Sequence, residues 1–361
     1  MNITLQRLRA QHLAGVGLRA PADVVRWFGA VQAQDYPGAL LAVGMRTSSA
    51  TEADVEQAVT ARTIVRTWPL RGTLHFVAPE DVRWMLTLLA PNMIQRAALR
   101  FKQLELDART FARGAAVFGK ALEGGRQLSR PRLYALLERA GIRTAESRGL
   151  HILWRCAHDG LICFGAREGR QQTFALLDEW VPRAKTVSRE QALAALARRY
   201  FTSHGPATLK DFGWWSGLSA GDARMALDLA RSTLECLTID GQAYWLAESA
   251  ARRGAGRRPP AAAAKTPPAL LLPPYDEYTV AYRDRRAALD PTHAAAARNG
   301  IFSPTIVLDG RIAGTWTRRL TKDGVAIALR PFAPLTREQA SRLAAAADRY
   351  GRFITRPALI V

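Results

Sequence analysis

The most constraining feature of the sequence is a repeated order of helices followed by a strand pair. Three consecutive segments carry amphipathic helical patterns and then end in short alternating stretches around a turn. The turns fall at Arg71-Gly72, within residues 161–180, and at Asp240-Gly241, and Asp-Gly is a strong hairpin signal. Helix, helix and hairpin is the order of a winged helix-turn-helix. The sequence therefore predicts three such units in tandem.

The predicted fold class is α+β and mainly helical, with three tandem winged helix-turn-helix units followed by a small antiparallel β domain with a C-terminal helix. Alternating stretches around two further Asp-Gly turns, at residues 309–310 and 323–324, predict the strands of that last domain. The predicted boundaries are 1–120 for the first unit, 121–186 for the second, 187–250 for the third, 251–268 for a basic Pro/Ala-rich linker or loop, and 269–361 for the β domain.

The charge balance indicates a polyanionic partner. The chain contains 51 Lys and Arg against 31 Asp and Glu, which gives a formal net charge of +20. A basic excess of this size favours nucleic acid, and winged helices favour double-stranded DNA in particular. The alternative is an arginine-rich composition inherited from a GC-rich genome, with no nucleic-acid contact.

Cysteine content and hydropathy indicate the cellular compartment. The three cysteines are too few for a disulfide scaffold and are typical of a reducing environment. The N-terminus lacks the apolar stretch of a secretory signal, and no apolar run approaches the ~20 residues of a membrane span. We expect a cytoplasmic protein without membrane contact.

No motif in the sequence predicts a metal or a nucleotide cofactor. His151, Cys156, His158 and Cys163 lie close together, but their spacing does not match the paired ligands of a zinc site. Glycine-rich phosphate loops and the nucleophile elbow of hydrolases do not occur. The prediction is therefore no metal and no cofactor.

Two of the histidines are expected to be exposed. His75 lies in the first predicted hairpin, and His204 precedes a Gly-Pro turn. Both are predicted to have a structural role or to contact phosphate, rather than to act as a catalytic base.

Residues 28–40, "FGAVQAQDYPGAL", contain Gln32 and Gln34, followed at once by Asp35. The periodicity predicts a core helix over residues 20–33 that meets a loop here, with Pro37 and Gly38 ending regular structure. Three interpretations are open: a helix end held by side-chain hydrogen bonds, a contact to a partner, or a catalytic pair. Side chains two residues apart do not share a helical face, but their amides can converge where the backbone is extended or turning. Two such carbonyls can hold a water and favour a developing positive charge.

A pair of carboxylates, Asp276 and Glu277, follows Pro-Pro-Tyr in the stretch "LLPPYDEY". Carboxylates are scarce near the basic segments, so these two are candidates for bracing the last domain against an arginine-rich unit. The neighbouring Tyr275 and Tyr278 are alternative candidates for stacking on an exposed base.

The combination of "VQAQD", "RTWPLRGTLHFV" and "LLPPYDEY" resembles the AlkZ-type winged-helix DNA glycosylases, over nearly the whole chain. In that family a Gln-aliphatic-Gln motif is catalytic, so the resemblance implies this role for Gln32 and Gln34, with Ala33 between them. It also implies action on bulky alkyl lesions and interstrand crosslinks. Asp35 either takes a proton from the attacking water or caps the neighbouring helix.

The predicted function is a monofunctional DNA glycosylase that hydrolyses the N-glycosidic bond of N7-alkylated purines and unhooks crosslinks. We expect it to act as a monomer. The predicted DNA contacts lie in the first hairpin, the second unit and the last hairpin. They are Arg66, Arg71, Thr73, His75, Arg148, Arg155, Arg167, Arg318 and Arg319.

Two non-catalytic alternatives remain open. One is a sequence-specific winged-helix transcriptional regulator, whose glutamines would contact adenine edges. The other is a structural DNA-binding protein with near-uniform, salt-sensitive affinity.

Overall fold

The computed structural model describes residues 2–182, 186–248 and 267–361. Contacts divide the chain into two compact units. Unit 1 comprises Met1–Glu56 and Leu193–Val361, and unit 2 comprises Gln57–Ala192. The predicted α+β class is confirmed. The predicted linker lies outside the described residues except for its last two positions.

Unit 1 begins with short helices that surround one short strand. They are α1 (Ile3–Ala10), α2 (Pro21–Phe28), β1 (Ala30–Gln32), α3 (Tyr36–Gly44) and α4 (Glu52–Thr60), which ends beyond the boundary of the unit.

Helix α2 is shorter than the periodicity predicts. It ends at Phe28 because Gly29 adopts a φ of 82°, a left-handed conformation that glycine tolerates, and the Gly29 N–H bonds to the carbonyl of Val25. The chain then extends as β1, so Gln32 lies on a strand and not at a helix end.

The expectation that Pro37 and Gly38 end regular structure is wrong. Both residues lie in the first turn of α3. Proline fits there because the first N–H groups of a helix have no partner within the helix. The segment between α2 and α3 is therefore a short extended link, and it carries both glutamines.

Unit 2 follows in the chain and combines hairpins with helices. Its elements are β2 (Val65–Leu70), β3 (Thr73–Val77), α5 (Pro79–Arg96), α6 (Ala98–Gln103), α7 (Ala108–Leu122), β4 (Leu128–Ser129), α8 (Arg130–Arg139), α9 (Arg148–His158), β5 (Ile162–Phe164), β6 (Thr173–Leu176) and α10 (Leu177–Trp180). Strands β2 and β3 form an antiparallel hairpin, and β6 pairs with β4 and β5, also antiparallel. The predicted order of α8, α9 and a strand pair is confirmed.

An aromatic and aliphatic core holds unit 2 together. Trp68 of β2 packs against Phe164 and Phe174, with ring centroids 5.0 and 6.5 Å away. Trp154 of α9 donates its indole N–H to the carbonyl of Gly72, at the turn of the β2–β3 hairpin, over 3.3 Å. This hairpin therefore packs on α9 within one unit.

The rest of unit 1 comprises a helical segment, a hairpin and a larger sheet. The elements are α11 (Arg189–His204), which begins before the boundary, α12 (Leu209–Ser216), α13 (Ala220–Ala230), β7 (Leu234–Ile239), β8 (Gln242–Ala247), β9 (Leu270–Leu272), α14 (Glu277–Val280), β10 (Thr305–Leu308), β11 (Arg311–Leu320), β12 (Val325–Pro331), α15 (Arg337–Phe353) and β13 (Ala358–Ile360). Single 3-10 turns lie at Arg231–Thr233, Pro291–His293 and Arg298–Gly300.

Two of the three predicted Asp-Gly turns are tight hairpin turns, and the third, Asp323-Gly324, lies in the connection between the antiparallel β11 and β12. Asp240 and Gly241 join β7 to β8 with φ values of 49° and 74°, and Asp309 and Gly310 join β10 to β11 with 52° and 80°. Positive φ at both central residues is typical of the tight hairpin turn that Asp-Gly favours.

The C-terminal sheet has the strand order β13-β12-β11-β10-β9. It differs from the predicted antiparallel domain in one pair, since β12 and β13 are parallel. Helix α15 lies between them in the chain, and a helical crossover returns the chain in the same direction. The last helix is thus followed by a strand.

Helix α1 packs on this sheet through its apolar face. Leu8 is fully buried and contacts a cluster that includes Leu270, Leu272 and Val307. The packing brings the N-terminal segment, and with it β1, into the same unit as α14. Among the helices described, none is both long and apolar enough to cross a bilayer.

Candidate active site

The two glutamines lie on an extended backbone, which is the condition under which their amides can converge. Gln32 is 5% exposed, whereas Gln34 is exposed. The backbone N–H of Gln34 donates to the side-chain carbonyl Oε1 of Gln32 over 3.0 Å. The carbonyl of Gln32 is therefore held against the backbone beside the exposed Gln34.

The buried carboxylate of Glu277, the first residue of α14, lies behind β1. Its Oε1 accepts the backbone N–H of Gln32 over 2.7 Å. Its Oε2 accepts the indole N–H of Trp215 over 3.1 Å and lies 3.2 Å from Nε2 of His204. One carboxylate thus joins β1 to α11 and α12.

His204 lies between Glu277 and Ser203 in this arrangement. Burial lowers the pKa of its imidazole, and the hydrogen bond and charge of Glu277 act in the opposite direction without overcoming it. With a proton on Nε2 the ring donates to Glu277, and Nδ1 lies 2.8 Å from Oγ of Ser203. The ring also stacks on Tyr200, with centroids 4.7 Å apart.

The second carboxylate, Asp276, bonds to Arg46, which follows α3. The Arg46 guanidinium donates to both carboxylate oxygens over 2.9 and 2.8 Å, and both side chains are fully buried. Oδ1 of Asp276 also accepts the N–H of Tyr278 and so caps α14. The bracing predicted for this pair is thus found for Asp276, with one arginine as its partner.

A chain of hydrogen bonds connects the two carboxylates. Arg46 donates to Oε1 of Gln11, and Nε2 of Gln11 donates to the hydroxyl of Tyr282. That hydroxyl donates to the backbone carbonyl of His204 over 2.7 Å. We call Gln11, Arg46, His204, Asp276, Glu277 and Tyr282 the buried polar network.

Asp35 occupies the N-cap position of α3 and is partly exposed. Within the described residues its side chain accepts no capping hydrogen bond. A Cβ at Gly38 would lie 2.7 Å from Oδ2 of Asp35, so the Asp35 carboxylate lies directly against Gly38. The carboxylate therefore lies over the first turn of α3, next to Gln34 in the chain.

The predicted DNA contacts of the β2–β3 hairpin divide into buried and accessible residues. Arg66 is buried, with its guanidinium 4.6 Å from the centroid of the Phe164 ring. His75 is also buried, with Nδ1 2.9 Å from the carbonyl of Thr73, so its predicted exposure is wrong. Arg71 and Thr73, at the turn, are partly exposed.

The predicted contacts on α9 and beyond divide in the same way. Arg148 is buried and donates to the backbone carbonyls of Leu104 and Arg143. Arg155 is partly exposed and bonds to Asp159 one turn further along the helix. Arg167 lies between β5 and β6 and is partly exposed.

The remaining predicted contacts lie on β11. Arg318 and Arg319 are both exposed. The guanidinium of Arg318 lies 5.3 Å from the ring of Tyr350 on α15, and it also donates to the hydroxyl of that residue.

The residues considered for a zinc site are not grouped as metal ligands. In the described ranges no cluster of three or more His, Cys, Asp or Glu side chains could hold a metal ion. Cys156 and Cys163 are buried, and burial raises the pKa of the Cys156 thiol to about 12. Metals bind the thiolate, which this environment disfavours.

Sequence reasoning missed the partners of Glu277. His204, predicted to be exposed, is fully buried, and Trp215 was not considered. Tyr278, a candidate for base stacking, is also buried, and its hydroxyl donates to the carbonyl of Gly310. The one sequence signal for this part of the site is the scarcity of carboxylates near the basic segments, which singles out Asp276 and Glu277.

Comparison with known proteins agrees with this architecture. The family described as "DNA glycosylase AlkZ-like" matches residues 25–353. An interstrand DNA cross-link repair glycosylase of Streptomyces sahachiroi is 26% identical over 334 residues, which cover 86% of this chain and 85% of that protein. The solved structure of Streptomyces sahachiroi DNA glycosylase AlkZ superposes with a TM-score of 0.80 at 23% identity, covering 100% of this chain and 98% of that one. Since the family match spans most of its length, this chain belongs to the AlkZ-like DNA glycosylase family and is a DNA glycosylase.

Proposed function

We propose that this glycosylase releases N7-alkylated purines and unhooks interstrand crosslinks, with Gln32 and Gln34 as the catalytic residues. The observation that carries the proposal is the bond from the backbone N–H of Gln34 to Oε1 of Gln32, which fixes the Gln32 amide beside the exposed Gln34. The relative from Streptomyces sahachiroi, named for cross-link repair, supports the substrate class. The family assignment favours an enzyme over the two non-catalytic alternatives.

The chemistry suits amides better than a strong acid. An N7-alkylated purine already carries a positive charge, so it leaves as a neutral base without being protonated. When the C1′–N9 bond breaks, the electron pair goes to the base and the sugar becomes oxocarbenium-like. Amide oxygens can orient a water toward C1′ and stabilise this cation through their dipoles. No metal or cofactor is needed for this hydrolysis.

We assign the proton of the attacking water to Asp35. The carboxylate is partly exposed, directly follows Gln34, and makes no capping bond within the described residues. Asp35→Asn should then lower the rate of base release by about 10²-fold or more. If the side chain only supports α3, the variant will instead keep both its rate and its stability, because Asn and Asp are similar at an N-cap.

The DNA is proposed to contact the accessible members of the predicted set, most of which are arginines. Phosphate binding by Arg and Lys supplies most of the salt-dependent affinity of such proteins. The accessible members of the predicted set are Arg71, Thr73, Arg155, Arg167, Arg318 and Arg319. Arg66, His75 and Arg148 are buried, and we propose that they support these surfaces. The order of helices and hairpins supports three winged-helix units, and we propose that the protein acts as a cytoplasmic monomer.

The test uses duplexes that carry an N7-alkylguanine or an N7-linked interstrand crosslink. Abasic sites are read as strand breaks after alkali, under single-turnover conditions. We expect base release from both, and a loss of at least about 10²-fold for Gln34→Ala, because a preorganised group at the reacting centre is removed. The affinity for DNA should stay within about twofold, since phosphate contacts dominate it.

The matched control is Gln103→Ala, an exposed glutamine at the end of α6. It should leave both rate and affinity unchanged. Absence of base release from every alkylated and crosslinked duplex would overturn the proposed substrate class. Equal losses of rate and affinity in Gln34→Ala would indicate a binding role for this residue.

A further inference from the structure

We propose that Glu277 is a positioning residue for base excision, and that it acts by fixing the backbone of the strand that carries the two glutamines. The inference rests on the proposed catalytic role of Gln32 and Gln34. It assigns a function to a carboxylate that lies 245 positions away from Gln32 in the chain.

The Glu277 carboxylate is itself held in place. It is 1% exposed, and its Oε2 faces two ring N–H groups, from Trp215 on α12 and His204 on α11. Nε2 of His204 lies 3.2 Å from Oε2 of Glu277, and burial lowers the pKa of the imidazole. Donors on two helices therefore fix the orientation of this carboxylate.

The other oxygen of the Glu277 carboxylate is turned toward β1. Oε1 accepts the Gln32 N–H over 2.7 Å, in the range of charge-assisted hydrogen bonds. Such bonds are roughly twice as strong as bonds between neutral groups. The position of the Gln32 backbone is thus set by groups on α11, α12 and α14.

The backbone position of Gln32 determines where the two proposed catalytic residues lie. Strand β1 has three residues, and its last residue is Gln32, whose Oε1 in turn accepts the Gln34 N–H. A shift of the Gln32 backbone therefore moves the Gln32 amide and the backbone of Gln34 together. Catalytic groups must stay within about 0.5 Å of the productive geometry. A misplacement of about 1 Å can cost about 10²-fold in rate.

The experiment compares Glu277→Ala with Glu277→Gln by single-turnover release of an N7-alkylguanine. Alanine removes every acceptor, whereas glutamine retains one oxygen for the Gln32 N–H and loses the acceptor facing the two rings. We expect a rate loss of about 10²-fold for Glu277→Ala and a smaller loss for Glu277→Gln. DNA affinity should be unchanged in both, and hydrogen exchange of the Gln32 amide should accelerate in the same order.

The matched control is Tyr278→Phe, which changes the next residue of α14. Tyr278 is as buried as Glu277, and its hydroxyl donates to the Gly310 carbonyl over 2.6 Å without involving β1. This variant should lose stability while keeping its rate and the protection of the Gln32 amide. All rates are measured at a temperature where each variant is folded, so that a purely structural role leaves them unchanged.

The outcomes separate this inference from the proposed function. If Gln34→Ala is slow while folded Glu277→Ala releases base at the wild-type rate, the positioning role is wrong and the catalytic glutamines stand. If Gln34→Ala retains its rate, the proposed site itself is wrong. Should Glu277→Ala fail to fold, Glu277→Gln and Trp215→Phe decide, and wild-type rates in both would overturn the inference.

Discussion

The interior around β1 in unit 1 and the interior around α9 in unit 2 solve the problem of burying polar groups in opposite ways. In unit 1 two carboxylates, an arginine and a histidine are bonded to one another in the buried polar network. In unit 2 the core around α9 consists of aromatic and aliphatic side chains, and the buried Arg148 and His158 bond to backbone carbonyls. Directional bonds fix atoms more narrowly than apolar contacts do. Unit 1 is therefore suited to hold reacting groups, and unit 2 to present a stable surface.

A buried histidine in each unit illustrates the difference. His204 has partners at both ring nitrogens. His158 of α9 stacks on Trp154 at 3.6 Å and has a partner only at Nδ1, because within the described residues its Nε2 meets no hydrogen-bonding group. Burial lowers the pKa of His158 to about 4. The same residue type is part of a bonded network in one unit and a packed ring in the other.

The largest stability effect is expected from Arg46→Met in unit 1. The variant leaves the buried carboxylate of Asp276 without its bidentate partner, which costs about 3–5 kcal/mol. Chemical denaturation measures the loss. In unit 2 the partly exposed ion pair of Arg155 and Asp159 is the counterpart, and Arg155→Met should cost less than about 1 kcal/mol. Equal losses in both variants would contradict the distinction between the two interiors.

A pH-dependent effect is expected from His158 in unit 2. Its folded pKa of about 4 lies below the unfolded value of 6.5, so the unfolded state takes up the proton first as the pH falls. The contribution of His158 to the free energy of unfolding is complete above pH 6.5. It is lost between pH 6.5 and about pH 4, and amounts to about 3 kcal/mol in total. Denaturation of His158→Phe at pH 7.5 and pH 5 should show a weaker pH dependence than the wild type. An unchanged dependence would show that the ring is not the group responsible.

The smallest effect is expected on the surface of unit 2. Arg155→Ala should reduce the slope of log affinity for duplex DNA against log salt by about 0.9, because one phosphate contact is lost. The control is Arg286→Ala in unit 1, where an exposed arginine pairs with Asp284 and no DNA contact is proposed. A slope that changes equally in both variants would remove Arg155 from the proposed contacts.

The parts of the fold that depend on local chemistry could be predicted from the sequence. Asp240-Gly241 specifies a hairpin because its residues tolerate positive φ, and the helix pair before β5 shows clear apolar periodicity. The end of α2 was missed for a local reason. Ala30 and Val31 continue the apolar pattern beyond Phe28, and they are buried on a strand instead.

Only the residues of the candidate site that are adjacent in sequence could be predicted. The two glutamines and Asp35 are visible as a motif, but burial depends on contacts between distant parts of the chain. Arg66, His75 and His204 are interior residues for this reason. No local pattern indicates that a carboxylate late in the chain accepts the N–H of Gln32.

The hydrogen bond between Gln32 and Glu277 also has a consequence for biosynthesis. The glutamines precede their backbone partner in the chain, which a ribosome adds 245 residues after Gln32. A nascent chain that lacks α14 cannot assemble this site, whatever its first helices have already formed. With the proposed catalytic glutamines, base release is therefore expected only from chains in which α14 has been made.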